Sequence, residues 1–580
     1  MFARGLGTCY TEKVLKTSCN SGIFRGGNCS MASGRIKKTA FTFSFLYSLA
    51  LVLGFIMYDT NSLRGGFKSA KSCIITIGSI VILTLALGFI MLFLLQFIAK
   101  RGDSAAAPGE GRLYRFFTGR GAYFYIWAII FCSFLPCYLA YYPGVFSYDI
   151  ITQTAMIMGD IPYSTAVPPL HTFLWIICVQ IQEKLHTNNA IVFYSIFQML
   201  IFSAMLAKVP SFICKKTASG GWGLIALLFF ILNPVISIMS FSTTKAVLFA
   251  GAFILLALEL WELIAETDAY LNSRRCRIRF ILITLLACLL RGNAFFCILL
   301  MIPFALKALQ DKKRAAEIFA LPVVLYLLIN NVIYPAIGFE SGSSSELIVV
   351  PMQQIACVID RHADEIPEEE IAQLDVYYGD AIPAAENYNP RFADPVKNSF
   401  HVSGSELVNF IKLWVKLGVR YPADYLDAFL TLNLPYWYQG ADAVDSFAQR
   451  QYIETSLGGD KHFGGYGYYW FFRDSKLPGL FNFYESAADY SLFRNVPIIS
   501  RIFSLSFPLW LTLFCMAVLK ARDKAKARLV LLPALLQWAI FMFGPVSNFR
   551  YIFPIFLSYP VYAALSFAYN GISAKKSKNS

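Results

Sequence analysis

The chain has 580 residues, of which 57% are hydrophobic and only 15% charged, with a mean hydropathy of +0.54. Soluble domains carry about 25% charged residues, and apolar runs of about 17–25 residues, each long enough to cross a bilayer as a helix, recur here along most of the chain. The net charge of +14 does not point to nucleic acid: residues 339–495 hold 22 Asp+Glu against 11 Lys+Arg, so the excess of cations lies in short loops elsewhere, as the positive-inside rule expects.

The short alternating segments of a β-barrel are missing, so the expected fold is an all-α polytopic membrane protein with about twelve transmembrane helices. Most of the 13 cysteines lie in or beside apolar runs. The large polar segment holds only Cys357, so disulfides do not organise it.

In chain order, residues 1–38 read as a cytosolic N-terminal segment. Residues 1–30 show no apolar period, and Met31, followed by Arg35, Lys37 and Lys38, reads as a natural start. Spans are expected at about 39–58, 72–98 and 122–142. The third delivers Tyr141-Tyr142-Pro143-Gly144-Val145-Phe146-Ser147-Tyr148-Asp149 to an external loop, 143–188, that includes Pro168-Pro169-Leu170-His171. The apolar stretch 168–185 reads as an interfacial helix, because a crossing there would put Lys208, Lys215 and Lys216 outside.

Further spans follow at about 189–207, 222–240, 244–264, 278–290, 294–309 and 316–337, closing the membrane domain 39–338. An extracytoplasmic domain spans 339–495, with helices expected over Glu365–Gln373 and Ser405–Leu417. Spans at about 497–519, 529–545 and 551–570 and a basic tail complete 496–580. Both termini are then cytosolic. One loop strains this threading: 59–71 puts Arg64, Lys68 and Lys71 outside.

The threading gathers charged and polar residues at the outer face. They are Asp149 and His171, Lys245 in the turn Ser242-Thr243-Thr244-Lys245, Arg291 and Asn293 in Arg291-Gly292-Asn293, and Arg550 and Tyr551 in Asn548-Phe549-Arg550-Tyr551. Charge at such depth costs several kcal/mol unless paired or hydrated. One carboxylate and three cations suit an anionic ligand such as a phosphate. Other readings stay open: the cations can reach toward lipid headgroups, His171 can bond within its own helix, and Asp149 can cap Ile150-Ile151-Thr152-Gln153.

The external aromatic runs Tyr436-Trp437-Tyr438 and Gly465-Tyr466-Gly467-Tyr468-Tyr469-Trp470 can stack on sugars or pack at the interface. Phosphate-binding loops, dinucleotide fingerprints, paired-Cys zinc motifs and nucleophile elbows are missing.

These motifs resemble those of the C-class glycosyltransferase fold (GT-C), polytopic enzymes that use polyprenyl-phosphate-linked sugars. The resemblance covers roughly 120–570 and rests on Phe146-Ser147-Tyr148-Asp149 after a span, Pro168-Pro169-Leu170-His171 opening an interfacial helix, and Arg550-Tyr551-Ile552-Phe553-Pro554 near the last span. More narrowly, the chain resembles an uncharacterised group of bacterial membrane proteins near that superfamily. There a Ser-Tyr-Asp motif, a Pro-x-Gln-Gln element (here Pro351-Met352-Gln353-Gln354) and a Tyr-Trp-Tyr element recur in order.

The resemblance implies a glycosyltransferase of the bacterial plasma membrane. A sugar would move from a polyprenyl-phosphate donor to a glycan or cell-wall polymer acceptor, with inversion and with Asp149 as base. His171, Lys245, Arg291, Asn293, Arg550 and Tyr551 would bind the donor; Tyr436, Trp437 and Tyr438 would bind the acceptor. A divalent metal is possible under this resemblance, but the adjacent acidic pair common there is missing, since Asp160 lies eleven residues beyond Asp149. Lys245 also follows Thr243-Thr244 where relatives often carry an Asp. A transporter or flippase for a lipid-linked or anionic solute, and a non-catalytic cell-envelope assembly protein, remain the alternatives.

Overall fold

The computed structural model describes residues 26–101, 111–145, 147–187, 189–342, 348–402, 404–441 and 474–569. These residues are all-helical apart from turns and isolated bridges, with no named strand among them. The elements used below are α1 (Gly26–Thr60), α2 (Ala70–Arg101), α3 (Ala122–Ala140), α4 (Tyr148–Met158), α5 (Pro169–Lys184), α6 (Ala190–Thr217), α7 (Gly220–Leu232), α8 (Pro234–Ser240), α9 (Lys245–Ala265), α10 (Arg274–Leu290) and α11 (Asn293–Ala308). They continue with α12 (Lys312–Leu328), α13 (Val349–His362), α14 (Glu368–Tyr378), α15 (Leu407–Arg420), α16 (Pro422–Leu432), α17 (Leu434–Trp437), α18 (Phe507–Ala521), α19 (Leu532–Phe541), α20 (Phe549–Leu557) and α21 (Tyr559–Ala568).

Among the described residues seven helices are long and apolar enough to cross a membrane: Gly34–Thr60, Ala70–Lys100, Ala122–Ala140, Ala190–Thr217, Lys245–Ala265, Lys312–Ala336 and Phe549–Ala568. The chain is a multi-pass, all-α membrane protein. The bent pair α7–α8 makes an eighth crossing if taken as one span, and α11 and α18 are shorter apolar helices. Pro234 causes the 62° bend: it has no N–H for the helical ladder, and the Asn233 side chain accepts from the Val235 N–H and starts α8 afresh. α9 sits innermost, with 89% of its apolar window buried, whereas α2 has 17% buried and presents an apolar surface suited to lipid.

A second apolar core lies within 348–432, built from α13, α14, α15 and α16 around Ile355, Leu374, Phe410 and Leu417. The two helices expected here begin later than the sequence suggests, at Glu368 and Leu407. Pro367 and Glu368-Glu369-Glu370 open the first, with acids in its first turn where the helix dipole favours them. Gln353 and Gln354 serve this unit, donating to the Asn389 and Tyr425 carbonyls at 2.5 and 3.0 Å.

The cationic loop that strained the threading is explained by this unit. Arg64 pairs with Asp424 at 2.9 Å, and Asp427 accepts from Ser62 Oγ at 2.5 Å and from the Leu63 N–H at 2.8 Å. Arg361 binds both acids, at 2.8 and 3.1 Å. Loop 61–69 and the helical unit therefore share one end of the bundle. Elsewhere, Arg35–Asp523, Lys216–Glu266 and Arg279–Glu259 pair across the basic loops.

Candidate functional site

Asp149 stands in the first turn of α4, on a loop fixed to the turn before α9. Val145 and Ser242 form a parallel bridge, the Thr243 N–H donates to the Val145 carbonyl at 3.1 Å, and the Ser147 N–H and Oγ bond Thr243 Oγ1 and O at 2.9 and 2.5 Å. Gly144 permits this close approach to α6: a Cβ there would lie 2.8 Å from Ser195 Oγ and 3.1 Å from Ile191. Gly144 also has φ +153°. Gly144→Ala is expected to cost about 1–3 kcal/mol through overpacking, read as a fall in thermal midpoint; an unchanged midpoint would mean that the loop yields.

Lys245 Nζ lies 3.2 Å from Asp149 Oδ1, Thr244 Oγ1 donates to Oδ2 at 3.3 Å, and Arg550 Nη1 is 3.8 Å from Oδ2. Burial pushes the Asp149 carboxyl up, but Lys245, Arg550 and His171 outweigh it and hold the group well below the usual carboxylate range. Lys245 thus turns inward to an ion pair and does not reach for headgroups.

Three helices begin around this carboxylate. Thr244 caps α9 and Asn548 caps α20, each accepting a backbone N–H two residues on, and Ser147 precedes α4. Their positive ends add to a field that favours anions. Tyr551 accepts from Arg550 Nη2 at 3.1 Å, and its ring lies 4.9 Å from that guanidinium and 4.6 Å from Arg291. Arg291 sits in an aromatic cage completed by Phe541 at 4.7 Å and Phe249 at 5.8 Å. Its side chain is buried, with Nε and Nη1 unpartnered.

His171 belongs to the support of this cluster, not to its surface. The ring is fully buried, with Nδ1 3.0 Å from the Gln153 amide and Nε2 2.6 Å from Tyr194 OH. Gln198 donates to the Ser240 and Ser242 carbonyls at 3.0 and 2.7 Å, so its carbonyl faces Tyr194 OH at 2.8 Å. Tyr194 donates to Gln198, and Gln153 Oε1 faces the other ring nitrogen, so each nitrogen of His171 has beside it an oxygen that can accept its N–H. Burial lowers the His171 pKa to about 4, against the pull of Asp149 in the other direction.

Gln198 fixes the turn that carries Thr244 and Lys245. Gln198→Leu would remove the side-chain donor of the Ser240 carbonyl, at about 1–3 kcal/mol, and leave the Ser242 carbonyl with the Thr244 N–H at 2.7 Å; faster amide exchange across 240–247 is the expected reading, and wild-type protection there would refute it.

The other expected ligands are placed differently. Asn293 is exposed at the start of α11, and no hydrogen bond or ion pair joins it to Asp149, Lys245, Arg291 or Arg550. Tyr436 is buried, its hydroxyl bonded to the Asn548 N–H and carbonyl at 2.8 and 2.9 Å. Trp437 donates to the Leu430 carbonyl, and Tyr438 packs against Gly54 and Tyr58 of α1. These three rings anchor α17 to its neighbours, with Tyr436 buried and Trp437 and Tyr438 half-buried. The run 465–470 lies outside the described residues.

Asp160 is exposed just past the far end of α4, so it makes no pair with Asp149. Among the described residues no group of three His, Cys, Asp or Glu could hold a metal. A single carboxylate crowded by cations is a poor donor set for a divalent ion.

Gln153, Tyr194 and Gln198 escaped the sequence reading. Their signal was present: Tyr194 and Gln198, four residues apart on one face of a span, are polar groups at membrane depth.

Fold and site together define a multi-pass helical membrane protein with a buried, cation-rich cluster at the end of the bundle that carries the second helical unit. The chain belongs to a family of unknown function (DUF6020), whose family model matches residues 170–580. That match takes in Lys245, Arg291 and Arg550, while Asp149 lies upstream of it. No curated protein and no solved structure matches the chain.

Proposed function

We propose that this protein is a GT-C-like membrane glycosyltransferase. It moves a sugar from a polyprenyl-phosphate donor to an extracytoplasmic glycan or polymer, in a bacterial plasma membrane. The observation that carries this reading is the cluster itself: one carboxylate, Asp149, with Lys245 and Arg550 against it and Arg291 behind with unpartnered donors. The proposed topology has about twelve crossings, with the shorter helices α10, α11, α18 and α19 among them, both termini cytosolic and 339–495 outside.

In this mechanism the cations hold the donor phosphate and stabilise charge on the leaving group. The acceptor hydroxyl attacks the anomeric carbon as the bond to the phosphate oxygen breaks. Asp149 takes the hydroxyl proton, and a single displacement inverts the centre. The helical unit, held close to the site by the Ala393 N–H to Pro545 carbonyl bond at 2.9 Å, contributes the acceptor side.

A transporter is the second reading, favoured by the broken helix pair α7–α8. Transporters of that kind place two such breaks in matching halves, and only one bent pair occurs among the described residues.

The test compares surface glycans and the pool of lipid-linked sugars in wild-type, deletion and Asp149→Asn cells. Loss of one glycan modification with build-up of its lipid-linked donor supports transfer. Solute uptake into vesicles without product formation supports transport instead.

A further inference from the structure

The carboxylate assigned as base and the phosphate assigned as ligand need the same two cations. Asp149 already holds Lys245 at 3.2 Å and Arg550 at 3.8 Å, with Thr244 on its second oxygen at 3.3 Å. The two partners of the Lys245–Asp149 pair are only 16% and 10% exposed. A carboxylate neutralised in this way is a weak proton acceptor, because general bases work best with a pKa near the working pH. The space beside Thr244, Asn548 and Arg550 measures about 10 Å³, enough for about one water and too small for a phosphate. As the side chains stand, a phosphate does not fit this space beside Arg550. Arg291, 5% exposed and with two unpartnered nitrogens, supplies donors that Asp149 does not use.

We propose that Asp149 is the resident counter-ion of an anion site, occupying the place of the phosphate until an anionic headgroup draws Lys245 and Arg550 onto itself and frees the carboxylate. The resident acid spares the ligand-free protein the burial of cations without a partner, which costs several kcal/mol. It also orders the reaction: the donor binds first, and the acceptor meets a competent base only afterwards. This inference rests on the anion-binding reading of the cluster and adds its control.

The test measures binding, not transfer. The full chain in nanodiscs of zwitterionic lipid is titrated with polyprenyl monophosphate and, separately, with inorganic pyrophosphate. Asp149→Asn is expected to bind polyprenyl monophosphate at least about tenfold more tightly, as expected where a close competing charge pair is removed. Lys245→Met is expected to weaken binding, and the gain from Asp149→Asn is expected to shrink in the double variant. Tightening for polyprenyl monophosphate alone assigns the ligand to a lipid headgroup; tightening for pyrophosphate as well assigns it to phosphate in general.

Equal or weaker binding by Asp149→Asn overturns the inference. Should that variant fail to fold, infrared difference spectra of the wild type with isotope-labelled Asp decide: addition of polyprenyl monophosphate must shift a buried carboxylate band, and an unshifted spectrum overturns the inference. The two readings fail separately. Tighter binding with no glycan changed in cells keeps the counter-ion and removes the transferase. Lost transfer with unchanged binding does the reverse.

Discussion

Asp149→Asn is expected to lower sugar transfer by ~10²–10⁴-fold, the range for removal of a positioned general base, while the protein still folds. Asn has nearly the shape of Asp and can still accept from Thr244 Oγ1, which approaches Oδ2 at 3.3 Å. What disappears is the negative charge facing Lys245 and Arg550 and the atom proposed to take the proton. The loss should fall on the chemical step, since the cations proposed to hold the phosphate remain. In cells matched for expression, the ratio of modified surface glycan to accumulated lipid-linked donor reports it. Full transfer by this variant would move the chemistry away from Asp149 and leave the cluster as a binding site.

Asp149, Lys245, Arg291 and Arg550 were legible in the sequence because charge beside a membrane span is expensive and rarely idle. The threading, built on loop charge, put them at one end, and three of them meet in an ion-paired cluster. Neutral polar groups at membrane depth carry a fainter signal. Gln153, Tyr194 and Gln198 gain meaning only when α4, α5, α6 and the turn at 240–244 pack together.

The aromatic segment left two readings open for a related reason. An external platform and an interior anchor share one composition, and Tyr436, Trp437 and Tyr438 proved to be anchors. The strained loop at 59–71 could not be resolved locally either, since Arg64 and its partner Asp424 are 360 residues apart in the chain.

That long-range clamp gives the largest expected effect on stability. Arg361→Met is expected to destabilise the contact between the helical unit and the α1–α2 hairpin by about 3–5 kcal/mol, the usual cost of removing one partner from a buried charge network. The side chains of Asp424 and Asp427 are 0% and 1% exposed, and Arg361 touches both. Without it, Asp424 keeps Arg64, itself 55% exposed, and His362 at 3.3 Å, while Asp427 keeps Ser62 Oγ and the Leu63 N–H. Amide exchange across 348–362 and 59–71 should quicken together, because both segments depend on the same acids.

Acid should then separate the variant from the wild type. Burial pushes the Asp424 carboxyl up, but Arg361, Arg64 and His362 outweigh it and leave the folded group below its usual value of 3.8. The unfolded chain therefore takes up that proton first as pH falls. The stabilisation is fully present above that value and drains away as pH drops toward the folded pKa. Wild-type protein should lose stability on acidification below about pH 4, and Arg361→Met should lose less, having already given up the main partner of the acid. Equal acid slopes in the two proteins would mean that Arg361 packs against this acid without holding its charge.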